Sequence, residues 1–344
     1  MLCDEDGTPI SPVMFYHEPA SARAGDALVH CLPDDGGEVP PTLGRVVDLW
    51  AQARPNRFHV VHQADWIAGL FCGRFDFSDE NNALKLGHDP SAGCWIFDAA
   101  ALPFDATALP RVFPPATAMG SVTPAMSAQY GLSPACRVFT GTTDGMAGFI
   151  AASGLDNLQS GTAVTSLGTT MVVKAVSPNR VDVSKNGIYS HRLFQNWVAG
   201  GASNTGGGAL LRHFSASEIE ALSARIDPGI PSGLNYYPLV AKGERFPIAD
   251  PELPDRSEPR PDDRVAFLAG LLESIARIEK AGFDLMRAHG VPYPVLVKTV
   301  GGGSQNQVWL KIRQRILGVP VVRAENAEAA FGAALIALRG GRNT

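Results

Sequence analysis

GTAVTSLGTTMVVKAV (residues 161–176) reads as two strands folded back on one another. β-Branched and apolar residues fill 161–167 and 171–176, while Gly168, Thr169 and Thr170 between them have turn chemistry, so a hairpin is expected. The glycine lets the backbone approach an anionic oxygen, and the threonine hydroxyls can donate to it. An ordinary tight turn would use the same residues, so this stretch alone leaves both readings open.

Toward the C-terminus the pattern alternates strand and helix. Strands are expected near 187–193 and 197–200, then a glycine-rich run GGASNTGGG (200–208) entering a helix at 209–214. Residues 242–263 are polar and proline-rich, which suggests an excursion over the surface. From Arg264 the positions Leu268, Leu271, Leu272, Ile275, Ile278, Leu285 and Met286 trace one face of a long helix ending before Gly290. A strand at 295–300 then runs into GGGSQN (301–306) and a helix with Val308, Trp309, Ile312, Ile316 and Leu317 on its apolar side. A strand at 319–323 and an alanine-rich helix at 327–338 follow. TVGGGSQN (299–306) can hold an adenosine or a phosphate against bare backbone, or can simply be a close strand-to-helix crossing. It matches neither GxGxxG nor GxxxxGK[ST].

Toward the N-terminus, RVFTGTT (137–143) is a short strand entering a small-residue turn, and Asp144 opens an apolar helix over 145–152 that Gly154 closes. A carboxylate there can take the proton of a hydroxyl attacking a γ-phosphoryl group, or cap the helix, and the two roles are compatible. Further back, GTPISPVMFY (7–16) reads as a turn and a strand. Helices are expected at 43–53 and 60–71, the second stopped by Gly73, and then loops and short helices as far as Pro115. Asp76, Asn81, Asn82 and Lys85 form a polar loop patch that suits a polyol or plain solvent. His59 and His62 lack the HExxH context of a metal site, and no GxSxG nucleophile motif is present.

Composition narrows the class. A chain of 344 residues, 45% hydrophobic and 18% charged, can bury two cores of an α/β enzyme. A net charge of −5 without a Lys/Arg stripe argues against a nucleic-acid partner. Cys3, Cys31, Cys72, Cys94 and Cys136 are odd in number and widely spaced, giving neither a disulfide framework nor a zinc pattern and pointing to a reducing cytoplasm. No secretion signal or membrane-length apolar run is seen, so no membrane is expected.

Taken in order, GTTDGMAGFIA (141–151), SLGTT (166–170), GGASNTGG (200–207), GGGSQNQVWLKIRQRILGVPV (301–321) and EAAFGAALIAL (328–338) resemble the FGGY carbohydrate kinases. HQADWIAGLFCG (62–73), FDFSDENNALKLGHDP (75–90) and GIYSHR (187–192) make the resemblance greatest to the D-ribulose kinase and xylulokinase-like branch. The resemblance implies an α/β fold of two ribonuclease-H-like domains of the actin/hexokinase ATPase type, a sugar-binding one over 1–153 and a nucleotide-binding one over 154–344. It implies Asp144 as catalytic base, Gly168, Thr169 and Thr170 as a phosphate turn, and Gly301, Gly302, Gly303 and Asn306 on the adenosine side. Asp76 lies near the family's sugar pocket. ATP with Mg2+ and a ketopentose, or alternatively glycerol or another polyol, are the implied small-molecule partners in a cytoplasmic enzyme, and a homo-oligomer is compatible with all of this. Where the family has a small residue and an acid this chain has Gln314 and Arg315, a departure expected to alter helix packing more than nucleotide contact.

The family also begins with a strand, a DxGT turn and a second strand, and Asp6-Gly7-Thr8, followed by Pro9, is only a superficial echo of that turn. The expectation is a first domain truncated at its N-terminus, and a chain that by itself is poorly soluble and weakly active or inactive. The competing reading is a non-catalytic fragment or pseudoenzyme that keeps partial nucleotide binding.

Overall fold

The alternation along 162–203 sends every second side chain to one side of a sheet, and that sheet organises the larger half of the molecule. The computed structural model describes residues 1–33 and 37–342, which divide into two compact units: Met1–Ala147 with the residues from Ala333 on, and Gly148–Gly332. The division falls inside the helix Asp144–Ser153.

In the second unit the strands are β1 (Thr162–Leu167), β2 (Met171–Ser177), β3 (Tyr189–Leu193), β4 (Asn196–Ser203), β5 (Leu296–Val300) and β6 (Val321–Arg323). Their order across the sheet is β3-β4-β2-β1-β5-β6. β1, β2, β4 and β3 pair antiparallel, with Leu167 opposite Met171 across the hairpin, whereas β5 and β6 join β1 in parallel, with Val300 opposite Ser166. The helices are α1 (Gly207–Leu211), α2 (Ala216–Ser223), α3 (Arg264–Ala288) and α4 (Gln307–Leu317), and α5 (Ala329–Arg342) begins in this unit and belongs to the first from Ala333 on. An antiparallel set continued by parallel strands, with α3 before β5 and α4 between β5 and β6, is the ribonuclease-H-like topology expected above.

The predicted face of α3 is the one that packs: Leu268, Leu271, Leu272, Ile275, Ile278 and Met286 are buried against β2, β4 and α4. Each such side chain contributes about 1.5–3 kcal/mol relative to exposure. Trp309 of α4 is buried in the same core, and its indole N–H donates to the Leu272 carbonyl at 3.0 Å. The same core encloses an ion pair, Glu279 of α3 with Arg313 of α4, whose remaining valences go to Thr165 of β1 and Thr299 of β5. The glycine run at 200–208 begins inside the sheet and not in the turn before the helix. Residues 200–203 complete β4, where Gly200 and Gly201 lie so close to the Val173 carbonyl and the Phe246 ring that a Cβ would collide with either.

The first unit contains four two-stranded pairings and no larger sheet among the described residues. Helix Pro41–Ala53 sits close to where expected, with Leu43, Val46, Val47 and Leu49 buried beside Leu2, Leu28, Phe58 and Val60. The strand expected after the Gly7 turn is not formed. Pro9 and Pro12 lack ladder donors, the guanidinium of Arg45 takes the carbonyls of Tyr16 and Glu18, and Val13, Phe15 and Tyr16 are exposed. The strand is Leu2–Cys3 instead, fully buried and antiparallel to His59–Val60. That pairing also moves the start of the next helix from 60 to Gln63: His62 and Asp65 form a capping box, and Gly73 ends the helix in the left-handed conformation.

The first unit is not continuous in sequence. α5 ends within it, and at Gly340 the helix backbone comes so near Phe139 and the Ala116 carbonyl that a Cβ would stand 2.5 and 2.8 Å from them.

Candidate functional site

In the second unit, three glycine-rich segments far apart in sequence meet at residues 167–170. The hairpin turn closes on itself through Gly168 N–H donating to the Thr170 carbonyl at 3.0 Å. The segment after β4 clamps it from one side, with Gly207 N–H on the Gly168 carbonyl at 2.7 Å and Gly208 N–H on the Thr169 carbonyl at 3.1 Å. The segment after β5 approaches from another: a Cβ on Gly301 would stand 2.7 Å from the Leu167 carbonyl oxygen, and one on Gly303 would strike the Leu167 side chain at 2.6 Å. Gly301 also adopts φ +84°, which an L side chain resists. Here the absence of side chains is what allows the three backbones to pack, and it leaves Thr169, Gly301 and Gly302 exposed.

Gly302 and Gly303 lie in a short 3-10 turn, Gly302–Gln305, tied back by Ser304, whose N–H and hydroxyl both donate to the Gly301 carbonyl. Asn306 caps α4, its Oδ1 accepting from Trp309 N–H at 3.0 Å while its Nδ2 donates to Ser223 at 2.8 Å. Those bonds anchor the segment to α2 and α4. At the other end of α4, the guanidinium of Arg315 donates to the Pro228 carbonyl at 2.8 Å and pairs with the buried Glu273. Gln314 and Arg315 there line a concavity of about 540 Å³ with Pro228, Lys311 and Pro320, apart from the glycine turns.

In the first unit, Asp144 is the first residue of its helix, and Thr143 before it accepts through its carbonyl from Met146 and Ala147 N–H. The carboxylate is exposed, with Oδ1 accepting from Gly145 N–H at 2.6 Å. The loop leading to it is fixed from below. Thr140 Oγ1 donates to the Pro114 carbonyl, and Thr142 Oγ1 accepts from Asn81 Nδ2 at 2.8 Å. Asn81 is buried, and it is the second residue of the helical turn Glu80–Ala83, which Asp79 caps: Oδ1 accepts from the N–H of Asn81 and Asn82, and Oδ2 from Asn82 Nδ2. Burial, together with the nearby charge of Asp65, pushes the Asp79 carboxyl up to about 7. Asp65 is itself held by His62, Nδ1 to Oδ2 at 2.9 Å.

Sequence reading grouped Asn81 and Asn82 with Asp76 as one polar patch, but their settings differ. The Asp76 Oδ2 lies 3.2 Å from the Arg74 guanidinium and 2.7 Å from that of Arg111, and both guanidinium groups stack over Phe77. Burial opposes its charge, and the two arginines outweigh that and hold its pKa below the ordinary carboxylate value. Asp79 and Glu244, a buried acid described below, were missed. Asp79 carries a legible signal, an acid directly before a helical turn, whereas nothing in Gly243-Glu244-Arg245 distinguishes a buried glutamate from a solvated one.

Among the described residues no group of three or more His, Cys, Asp or Glu side chains could hold a metal ion, and no helix is long and apolar enough to cross a membrane.

Residues 163–340 match the FGGY family of carbohydrate kinases, C-terminal domain. The xylulose kinase of Bacillus subtilis (strain 168) is 28% identical over 234 residues, which are 64% of this chain and 46% of that protein. The chain therefore spans about half the length of the relatives it matches. Among solved structures, a xylulose kinase from Rhodospirillum rubrum superposes with a TM-score of 0.72 at 23% identity, covering 92% of this chain and 66% of that one. A carbohydrate kinase from Novosphingobium aromaticivorans gives 0.75 at 18% identity, covering 98% and 77%. The fold is that of these kinases, the actin/hexokinase-like ATPase fold.

Proposed function

We propose, from the premise that this chain belongs to the FGGY family of carbohydrate kinases, that it transfers the γ-phosphoryl group of ATP to a hydroxyl of a ketopentose such as D-ribulose or D-xylulose, or of a related polyol. The observation that carries this is the meeting of the three glycine segments at residues 167–170. Side chains are excluded there, and backbone together with Thr169 and Thr170 is presented to a ligand rich in anionic oxygens.

In this reading Gly168, Thr169 and Thr170 hold the phosphates, and Gly301, Gly302 and Gly303 receive the adenosine side. Asn306 acts through the cap that fixes their segment. Asp144 takes the proton of the attacking hydroxyl: its carboxylate is exposed, and its loop is held by Asn81. Asp76 is the weaker sugar-side candidate, since two arginines already engage its carboxylate. The cradle at residues 167–170, which a Cβ on Gly206 or Gly301 would fill, would hold the nucleotide's phosphates, and Mg2+ would enter on those phosphate oxygens, through which it is commonly bound. When bound, Mg2+ supplies charge neutralisation on the phosphate oxygens.

The test is ADP release with MgATP and a panel of D-ribulose, D-xylulose and glycerol, for the chain and for Asp144→Asn. The expected result is sugar-dependent release, weak for this chain by itself, that the substitution lowers by about 100-fold or more. Release that survives at a near-unchanged rate in Asp144→Asn removes Asp144 from its role. MgADP binding without turnover on any sugar supports the non-catalytic reading.

A further inference from the structure

The excursion at 242–263 contains a buried carboxylate that the reaction outlined above does not use. Glu244 is 4% exposed, and among the described residues no cation forms an ion pair with it. Four neutral donors surround it: Ser203 hydroxyl at 2.6 Å and Tyr237 hydroxyl at 3.0 Å on Oε2, Asn204 N–H at 2.7 Å and Arg245 N–H at 2.9 Å on Oε1. A carboxylate is the one side chain that accepts on both oxygens, so this pattern selects Glu over Gln, whose amide would face two donors with a third. A buried polar group needs partners on each oxygen, and here all of them come from the residues that the side chain ties together.

Two of the four donors belong to the residues that end β4 and start the glycine clamp. Ser203 also accepts from Thr205 N–H at 3.2 Å. Thr205 donates to the Pro238 carbonyl at 2.6 Å, and Asn204 Nδ2 to the Gly243 carbonyl at 2.9 Å. The next residues are Gly206, with no room for a Cβ against Thr169 and Thr170, and then Gly207 and Gly208, which donate to the carbonyls of Gly168 and Thr169. Only Thr205 and Gly206 separate Asn204 from Gly207, and Thr205 is itself bonded through its N–H and hydroxyl, so any displacement of the anchor reaches the hairpin turn through a short backbone link.

We propose that Glu244 is a positioning residue for the phosphate turn: by fixing Ser203 and Asn204 it sets where Gly207 and Gly208 hold Gly168 and Thr169. The assignment to phosphate rests on the function proposed above, whereas the placement of the turn stands on geometry alone. Burial, and then the charge and hydrogen bond of Glu244, push the Tyr237 phenol pKa up, so Tyr237 stays a donor through the physiological range.

The experiment uses the full chain with Glu244→Gln, Glu244→Ala and Tyr237→Phe, and reads amide hydrogen exchange together with binding of MgADP and of adenosine. The expected result for Glu244→Gln is exchange about 10- to 100-fold faster in peptides covering 204–211, with the β1, β2 and β5 peptides unchanged. MgADP affinity falls about tenfold while adenosine affinity holds, since the altered contacts face phosphate. Unchanged exchange at 204–211, or faster exchange spread evenly over the β1, β2 and β5 ladder, overturns the proposal. So does an equal loss of adenosine and MgADP binding. Should Glu244→Ala fail to fold, Glu244→Gln and Tyr237→Phe carry the exchange comparison. If the unsubstituted chain binds no MgADP, the nucleotide reading falls, and exchange alone decides the placement.

Discussion

Arg313 grips Glu279 with both arms of its guanidinium, Nε to Oε2 and Nη2 to Oε1 at 2.6 Å each, and both side chains are 1% exposed. The remaining contacts are Arg313 Nη1 to Thr299 Oγ1 at 2.8 Å and Thr165 Oγ1 to Glu279 Oε1 at 2.5 Å. One network thus ties α3 and α4 to the adjacent parallel strands β1 and β5, which lead into the phosphate turn and the Gly301 segment. Removing either partner alone strands a charge in the core. Arg313→Met or Glu279→Leu is expected to cost about 3–5 kcal/mol in urea unfolding, whereas the double replacement costs much less than the sum. Additive losses would show that the two groups act independently.

Gly301→Ala tests the convergence of the glycine segments. The new Cβ would meet the Leu167 carbonyl oxygen at 2.7 Å on a backbone at φ +84°, and neither partner is the end of a flexible side chain. An expected loss of about 1–3 kcal/mol in stability should be accompanied by weaker MgADP binding in calorimetry. Gly302→Ala is the control, since its Cβ meets nothing within 4 Å.

Asn81→Ala removes the amide that holds Thr142, two residues before Asp144. If Asp144 is the base, sugar phosphorylation slows by about 10- to 100-fold with little change in the KM for ATP, because the loss is in alignment of the base. Steady-state kinetics at varied ATP would show a KM effect instead if the loop served nucleotide binding.

Asp79 predicts a pH signature. Its carboxyl is raised to about 7 by burial and by Asp65, so the folded state holds a proton that the unfolded chain gives up near 4. The stability this contributes is full below the unfolded pKa and is lost as pH rises through about 7. Relative to Asp79→Asn, the unsubstituted chain should therefore gain stability as pH falls from 8 to 5, measured by denaturant midpoints at each pH. A difference that does not vary with pH would mean that Asp79 stays ionised throughout.

Much of the second unit was legible because its elements are long and periodic. The α3 stripe and the hairpin around Gly168 need only local pattern, and the structure places both within a residue or two of the expected bounds. The first unit was less so. Its strands are two to four residues long, too short for alternation to register, and the 7–16 segment looked like a strand because its composition ignores Arg45 waiting for its carbonyls. The site shows the same split. Glycine turns announce themselves, but their mutual contact depends on side chains that are absent, and the Glu244 anchor depends on donors from β4 and Tyr237 that no local pattern connects.

The closure of Gly340 on Phe139 and Ala116 gives the chain an order of completion. A ribosome releases residues 1–147 long before it reaches 340, so the unit begun first is finished last, and the second unit can fold while the first still waits for its final helical segment. For dissection by cloning, this means that a cut after residue 147 does not yield the first unit, and that trimming the tail past Ala333 injures the opposite end of the sequence.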